Sequence, residues 1–160
     1  MCLSYIDVLF GIEPYHLWKD EQDHQTGVVK DGVPFQPDFK QQDEVFHGFV
    51  KRYPNIKCIA RHVRYAHSCS ENSLMAYLWY DGKTYESQKL RFHILDRVGG
   101  GDAFVSGIIY ALMNEYKPQD IADFGVAASA VKHTIHGDGN ITDDISLIEH
   151  IMQMNFDIKR

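Results

Sequence analysis

Cysteine is scarce in this sequence. Cys2, Cys58 and Cys69 are an odd number with no C-x-x-C pair, so neither a disulfide framework nor a zinc-ribbon or thioredoxin-type motif is supported. The expectation is three reduced thiols in a cytoplasmic protein. Long apolar runs are also missing. The longest, Phe104 to Met113, is broken by Ser106 and Gly107, whereas a bilayer-spanning helix needs about 20 residues, so no membrane helix is expected. The first residues, Met1 to Asp7, lack the basic stretch and apolar core of a secretory signal. Positive charge is short as well: 16 Lys+Arg face 22 Asp+Glu, a net charge of −6, with no block of five basic residues. That balance weighs against nucleic acid as a partner, because phosphate backbones select a basic face. What is present, 160 residues at 44% hydrophobic and 24% charged, is the composition of a soluble globular domain. Such a chain has room for one core, burying about two thirds of its unfolded surface.

Along the chain, Tyr5 to Phe10 reads as a short strand ended by Gly11, and a polar helix is expected after Pro14, through Trp18 to Asp23. The Gly- and Pro-bearing stretch from Thr26 to Asp38 reads as loop or hairpin. Val45, Phe46, Phe49 and Val50 recur at helical spacing between Lys40 and Tyr53, and Pro54 closes that element. Ile56 to Ala60 reads as a buried strand. Leu74 to Trp79, then Asp81-Gly82, then Lys83 onward reads as a hairpin with a tight turn. Phe92 to Leu95 is a further strand. The helix after it has an apolar face of Phe104, Ile108, Ala111 and Leu112. A second helix starts at Pro118 and carries Ile121, Phe124, Ala128, Val131 and Ile135, and a last one carries Ile145, Ile148 and Ile151. The alternation predicts an α/β class with a largely parallel sheet. Only about three core strands are legible, fewer than the usual 5–6 per sheet, so the chain reads as part of a larger fold.

The segment Ile94-Leu95-Asp96-Arg97-Val98-Gly99-Gly100-Gly101-Asp102 carries the chemistry. Three glycines between a strand and a helix let backbone N–H groups converge without Cβ obstruction, and a helix N-terminus adds its positive dipole end, which together make an anion site. Asp102 then stands beside that anion. Two readings are open for it: an acid that compensates the dipole, or a base that deprotonates a hydroxyl attacking a phosphoryl group. The Walker pattern G-x-x-x-x-G-K-[ST] does not occur. The dinucleotide fingerprint fails too, for want of an acid ending the next strand.

Asp96 to Gly107 resembles the C-terminal signature of the ribokinase (PfkB) sugar kinases, D-T-x-G-A-G-D-x-F-x-x-G. The Asp96-Arg97 pair and the triple glycine are similar to the 2-dehydro-3-deoxygluconate kinase branch, as are Ala127 to Ile135, Gly137-Asp138, Tyr5 to Gly11 and Leu74 to Tyr77. The resemblance implies a three-layer α/β/α ribokinase-like fold, with residues 1–160 forming its C-terminal, nucleotide-binding part and the N-terminal half, with sugar site and lid, lying outside them. It implies ATP- and Mg2+-dependent phosphorylation of a sugar-acid hydroxyl, with a monovalent cation also in the family's range. Asp102 would be the catalytic base, and Gly99, Gly100 and Gly101 the anion hole. Ala127, Ala128, Ala130 and Val131 would wall the adenine pocket, with Gly137, Asp138 and the residues to Asn140 as its adjoining loop. Asp96 would order the turn near a cation, Glu13 would help hold magnesium, and Arg64 would contact phosphate. On this footing the isolated 160 residues are expected to bind nucleotide weakly without turnover, and to self-associate or pair with the other half. The alternative is a non-catalytic nucleotide- or phosphate-binding fragment that pairs with another chain.

The chain also departs from the family pattern. Arg97 replaces the usual Thr, and Gly11-Ile12-Glu13-Pro14 stands where relatives often carry Asn-Glu-x-Glu. Without the resemblance, the alanines read as helix packing and Arg64 as a surface charge. His133-x-x-His136-x-Asp138 offers three metal-ligand types, yet nine histidines in the chain make coincidental pairs common. His62, His67 and Cys69 have the wrong spacing for one face. Tyr77, Trp79, Tyr80 and Tyr85 make an aromatic hairpin better suited to packing than to base stacking.

Overall fold

A computed structural model of the chain describes residues 2–11, 39–139 and 145–153. The expected helix after Pro14, the loop from Thr26 to Asp38, and Glu13 lie outside the described residues. After a 3-10 turn at Cys2–Tyr5, the elements are β1 (Val8–Phe10), α1 (Phe39–Arg52), β2 (Cys58–Ala66), β3 (Glu71–Tyr80), β4 (Lys83–Glu86), β5 (Leu90–His93), α2 (Gly100–Met113), α3 (Pro118–Lys132) and α4 (Ile145–Gln153). The strands hydrogen-bond in the order β1-β2-β3-β4, with β5 paired to β3. Two compact units result, Met1–Arg61 with Tyr77–Thr84 and His62–Ala76 with Tyr85–Arg160.

In the first unit, β1 and β2 run parallel, with Val8 opposite Cys58 and Phe10 opposite Ala60. Parallel neighbours need a long crossover, and α1 lies within it. Gln42, Val45, Phe46 and Phe49 are its buried residues, spaced 3, 1 and 3 apart as one helical face requires. Lys51 and Arg52 in its last turn complement the negative helix end. Asn55 Nδ2 donates to the carbonyls of Leu3 and Ile6 at 2.9 and 2.8 Å, tying the N-terminal turn down. Burial pushes the Cys58 thiol up to about 12. The hairpin turn is Asp81 at φ 47° and Gly82 at φ 80°, both left-handed as a two-residue type I′ turn demands.

In the second unit, β3 pairs antiparallel with β5, Asn72 opposite Phe92 and Leu74 opposite Leu90. α2 packs on α3, with Tyr110 stacked on Phe124 at 5.3 Å between ring centres. Tyr116 Oη donates to Glu149 and so helps dock α4. α3 is buried without interruption from Phe124 to Lys132. A helix apolar all round is a core helix.

Four expectations are corrected here. The sheet is mixed rather than largely parallel, because β5 returns beside β3 through a short connection that only an antiparallel pair permits. β2 does not stop at Ala60 but continues to Ala66; beyond Ala60 one side is wet, so its charged residues hide the strand. Tyr5 belongs to the 3-10 turn and Ile135 lies past the end of α3.

Candidate active site

The Asp96–Asp102 segment leads from β5 into α2, and the end of α3 holds it. The carbonyl of His133 accepts the N–H groups of Leu95 at 2.8 Å and Asp96 at 3.2 Å. Asp96 Oδ1 accepts from Val98 N–H at 3.0 Å, and Oδ2 from Gly137 N–H at 2.8 Å. Those two donors, with the nearby Lys132 charge, hold its carboxyl below the usual range. Arg97 Nη2 donates to the Cys69 carbonyl at 3.0 Å, fixing the turn to the β2–β3 connection.

The three glycines serve different ends. Gly99 is the N-cap of α2 at φ 76°, a left-handed conformation in which a Cβ would also stand 2.8 Å from the Asp138 carbonyl oxygen and 3.1 Å from Lys132 Cε. A Cβ on Gly100 would fall 2.4 Å from His133 Cε1. At Gly101 the nearest atom, His62 Cε1, is 4.0 Å away, so close packing does not require glycine there.

Ala103 N–H bonds to the Gly99 carbonyl at 2.9 Å, and Gly100 N–H reaches the Arg97 carbonyl at 3.5 Å. Among the described residues, the amides of Gly99, Gly101 and Asp102 have no acceptor. The exposed Asp102 sits in the first turn, and no side chain makes a capping bond at this helix end. No capping hydrogen bond occupies its carboxylate, while its place in the first turn is also where an acid compensates the helix dipole. This end of α2 thus presents unpaired donors beside an unengaged carboxylate.

A buried imidazole and several basic side chains lie near the turn. His133 is buried, its ring 5.1 Å from that of Phe92, and its Nδ1 lies 2.7 Å from the Ser129 carbonyl. Burial lowers its pKa, and the charges of Arg64, Lys132 and Arg97 lower it further. Arg64 itself is exposed on β2. Lys132 is fully buried, which is rare for lysine. Its Nζ donates to the carbonyls of Ile135 at 3.2 Å and Gly137 at 2.6 Å, so the charge is hydrogen-bonded and lies at the negative end of α3.

Ala130, Val131 and Thr134 line a cavity of about 400 Å3 together with Leu90, Arg91, Phe92, Leu147 and Ile151. Ala127, expected in the same wall, is fully buried and does not line it; it packs inside the helix layer. Gly137 and Asp138 form the loop against Gly99 described above.

The metal expectations fare differently. Asp96 uses both carboxylate oxygens on backbone N–H groups, which makes it a staple between two loops. Among the described residues no three metal-ligating side chains cluster. The His133, His136 and Asp138 spacing forms no such group, since the His133 ring is committed to Ser129 and Gly100. His67 Nε2 lies 2.7 Å from Ser73 Oγ instead. These residues do not fit a metal cage supplied by the protein alone. Sequence reasoning missed Ser129, Lys132 and His133 as supports of the turn; the available signal was three polar side chains on a helix otherwise rich in alanine.

Comparison with known proteins bears on this geometry. Residues 75–145 match the family model described as pfkB family carbohydrate kinase. The 5-dehydro-2-deoxygluconokinase of Clostridium botulinum (strain Alaska E43) is 31% identical over 71 residues, 44% of this chain and 20% of that protein. The crystal structure of 2-dehydro-3-deoxygluconokinase from Thermotoga maritima superposes with a TM-score of 0.75 at 27% identity, covering 94% of this chain and 42% of that one. A PfkB family carbohydrate kinase from Listeria grayi shares the fold at a TM-score of 0.72 and 24% identity, covering 94% of this chain and 42% of its own. The chain therefore spans well under half the length of these relatives. The fold is ribokinase-like α/β, matching part of these longer relatives, and the resemblance to the PfkB carbohydrate kinases read from the Asp96–Gly107 signature holds.

Proposed function

We propose that this chain, similar to the pfkB family carbohydrate kinases, carries the phosphoryl-transfer part of an ATP-dependent kinase for a keto-deoxy sugar acid, with 2-dehydro-3-deoxygluconate as the leading substrate. The observation that carries the reading is the set of acceptor-less amides of Gly99, Gly101 and Asp102 beside the unengaged Asp102 carboxylate. Asp102 accepts the proton of the attacking sugar hydroxyl as the oxygen closes on the γ-phosphoryl group. Removing a base of this kind costs about 10²–10⁴ in rate. Charge spreads over the equatorial phosphoryl oxygens in the transition state, and fixed N–H donors aimed there lower the barrier without reorganising. Arg64, Arg97 and Lys132, whose charges all act on His133, add positive potential near the turn.

The cavity beside Ala130 and Val131 suits a flat, largely apolar base. Magnesium, which the family resemblance implies, would ride on the nucleotide phosphates with few protein carboxylates; Asp96 is not offered as its ligand. The sugar-recognition residues are proposed to come from sequence matching the remainder of the relatives. The 160 residues alone then bind nucleotide without appreciable turnover, since catalysis by positioning needs both reactants held.

The test is sugar-dependent ADP formation by a protein that joins this chain to its complementary half, with 2-dehydro-3-deoxygluconate and 5-dehydro-2-deoxygluconate compared as acceptors. Turnover that survives Asp102→Asn unchanged would remove Asp102 from the chemistry. Phosphate release without any acceptor sugar would remove the kinase reading.

A further inference from the structure

The residues of α3 that bind the glycine turn point to a positioning role that the phosphoryl-transfer reading does not include. Ser129 is buried, and its Oγ donates to the Gly100 carbonyl at 2.8 Å. One turn later the His133 ring closes over the Gly100 Cα, where a Cβ would meet it at 2.4 Å. His133 is itself held by its Nδ1 contact to the Ser129 carbonyl. Gly100 is therefore gripped from one side by two residues of a single helical turn.

The consequence follows from peptide geometry. The Gly100–Gly101 bond is trans, as all the described peptide bonds are, so its C=O and N–H point in opposite directions across one rigid plane. With the Gly100 oxygen drawn toward Ser129, the Gly101 N–H faces the other way. It has no acceptor among the described residues, and Gly101 is exposed. The first turn of a helix is its least determined part, and a run of glycines makes it looser still. The Gly100 carbonyl stands at the start of the hydrogen-bond ladder of α2, and a buried hydroxyl on the same oxygen adds a restraint from outside the helix that holds this peptide plane more narrowly.

We infer that Ser129 is a positioning residue that aims the Gly101 N–H at the incoming phosphoryl oxygens by anchoring the Gly100 carbonyl, with the His133 ring as backstop. The inference rests on the phosphoryl-transfer reading for what the amide meets. Its geometry can be tested without turnover.

The experiment uses the 160-residue chain labelled with 15N-glycine and titrated with inorganic pyrophosphate, followed by the Gly101 amide resonance well below the melting temperature. In the wild type the Gly101 signal shifts on titration. Ser129→Ala weakens the pyrophosphate affinity read at Gly101 by about tenfold or more, and Ser129→Thr, which keeps the hydroxyl, restores it to within about threefold. A Gly101 signal that ignores pyrophosphate, or that responds alike in wild type and Ser129→Ala, overturns the inference. Should Ser129→Ala fail to fold, hydrogen exchange on the wild type decides. The Gly101 amide exchanges rapidly when free and at least tenfold more slowly with pyrophosphate; an amide already protected without it refutes the claim. Loss of the kinase reading looks different: the joined protein phosphorylates no sugar while the Gly101 response persists.

Discussion

Replacing Gly100 by alanine tests the turn directly, without reference to any ligand. The new Cβ would stand 2.4 Å from His133 Cε1, 3.0 Å from Nε2 and 3.1 Å from Nδ1, so the whole imidazole edge must retreat. It has little freedom to do so, because Nδ1 is held at 2.7 Å from the Ser129 carbonyl and the other side of the ring packs on Phe92. Overpacking of a rigid site costs about 1–3 kcal/mol. Alanine returns up to about 1 kcal/mol through its better helix propensity, leaving a net loss of about 0–3 kcal/mol that centres on about 1–2 kcal/mol. For a chain of this size each kcal/mol moves Tm by about 2–4 °C, so Gly100→Ala is expected to lower Tm by about 2–8 °C. Gly101→Ala is the internal control: its Cβ would meet nothing closer than 4.0 Å, so Tm should hold or rise slightly. Thermal unfolding followed by circular dichroism measures both. Equal Tm values for the two variants, or a Gly100→Ala protein as stable as the wild type, would refute the account of how α3 seats this turn.

Asp102→Asn in the protein joined to its complementary half is expected to lower kcat by at least about 10²-fold with KM for ATP within about threefold, as steady-state kinetics would register. Cys58, its thiol pushed up to about 12 by burial, should resist a thiol-reactive dye at pH 8 while the exposed Cys2 and Cys69 react, and should label only on unfolding. Asp96 titrates below its ordinary range when folded, so its contribution to stability is present above the unfolded carboxylate value of about 3.9 and is lost as pH falls through the depressed folded value. Asp96→Asn should therefore flatten the acid limb of a plot of Tm against pH; an unchanged slope there would show that the Val98 and Gly137 contacts do not matter.

Much of the fold could be read from periodicity. α1 buries Val45, Phe46 and Phe49 as their spacing requires, and the Asp81-Gly82 turn carries the left-handed pair its residues favour. The far half of β2 is hidden because Val63 is the one buried residue from Arg61 to Ala66; Arg61, His62 and Arg64 make the segment look like a loop when no partner strand is in view. Strand direction was misjudged for a related reason, since composition cannot tell that β5 returns beside β3. At the site, the glycine run and Asp102 were legible because they lie in one stretch of chain. Their supports were not. Ser129, Lys132 and His133 come from a different helix, and a lysine inside an alanine-rich core contradicts every compositional expectation until the carbonyls of Ile135 and Gly137 appear around it. Val131 and Ala130 reach the cavity while Ala127 does not, a difference of one helical turn that no sequence pattern encodes.

The stretch from Ser129 to Thr134, the end of α3 and the two residues after it, faces two masters. Ala130, Val131 and Thr134 border the cavity, while Ser129, Lys132 and His133 grip the strand-to-helix bend. With neighbouring positions committed to different neighbours, the rod cannot slide or roll to welcome a bulkier guest on one flank without tugging on the other. Any change at 130 or 131 that reshaped the cavity would have to re-tune 129 and 133 in concert, so the form of the hollow and the set of the bend are bound to drift together or not at all.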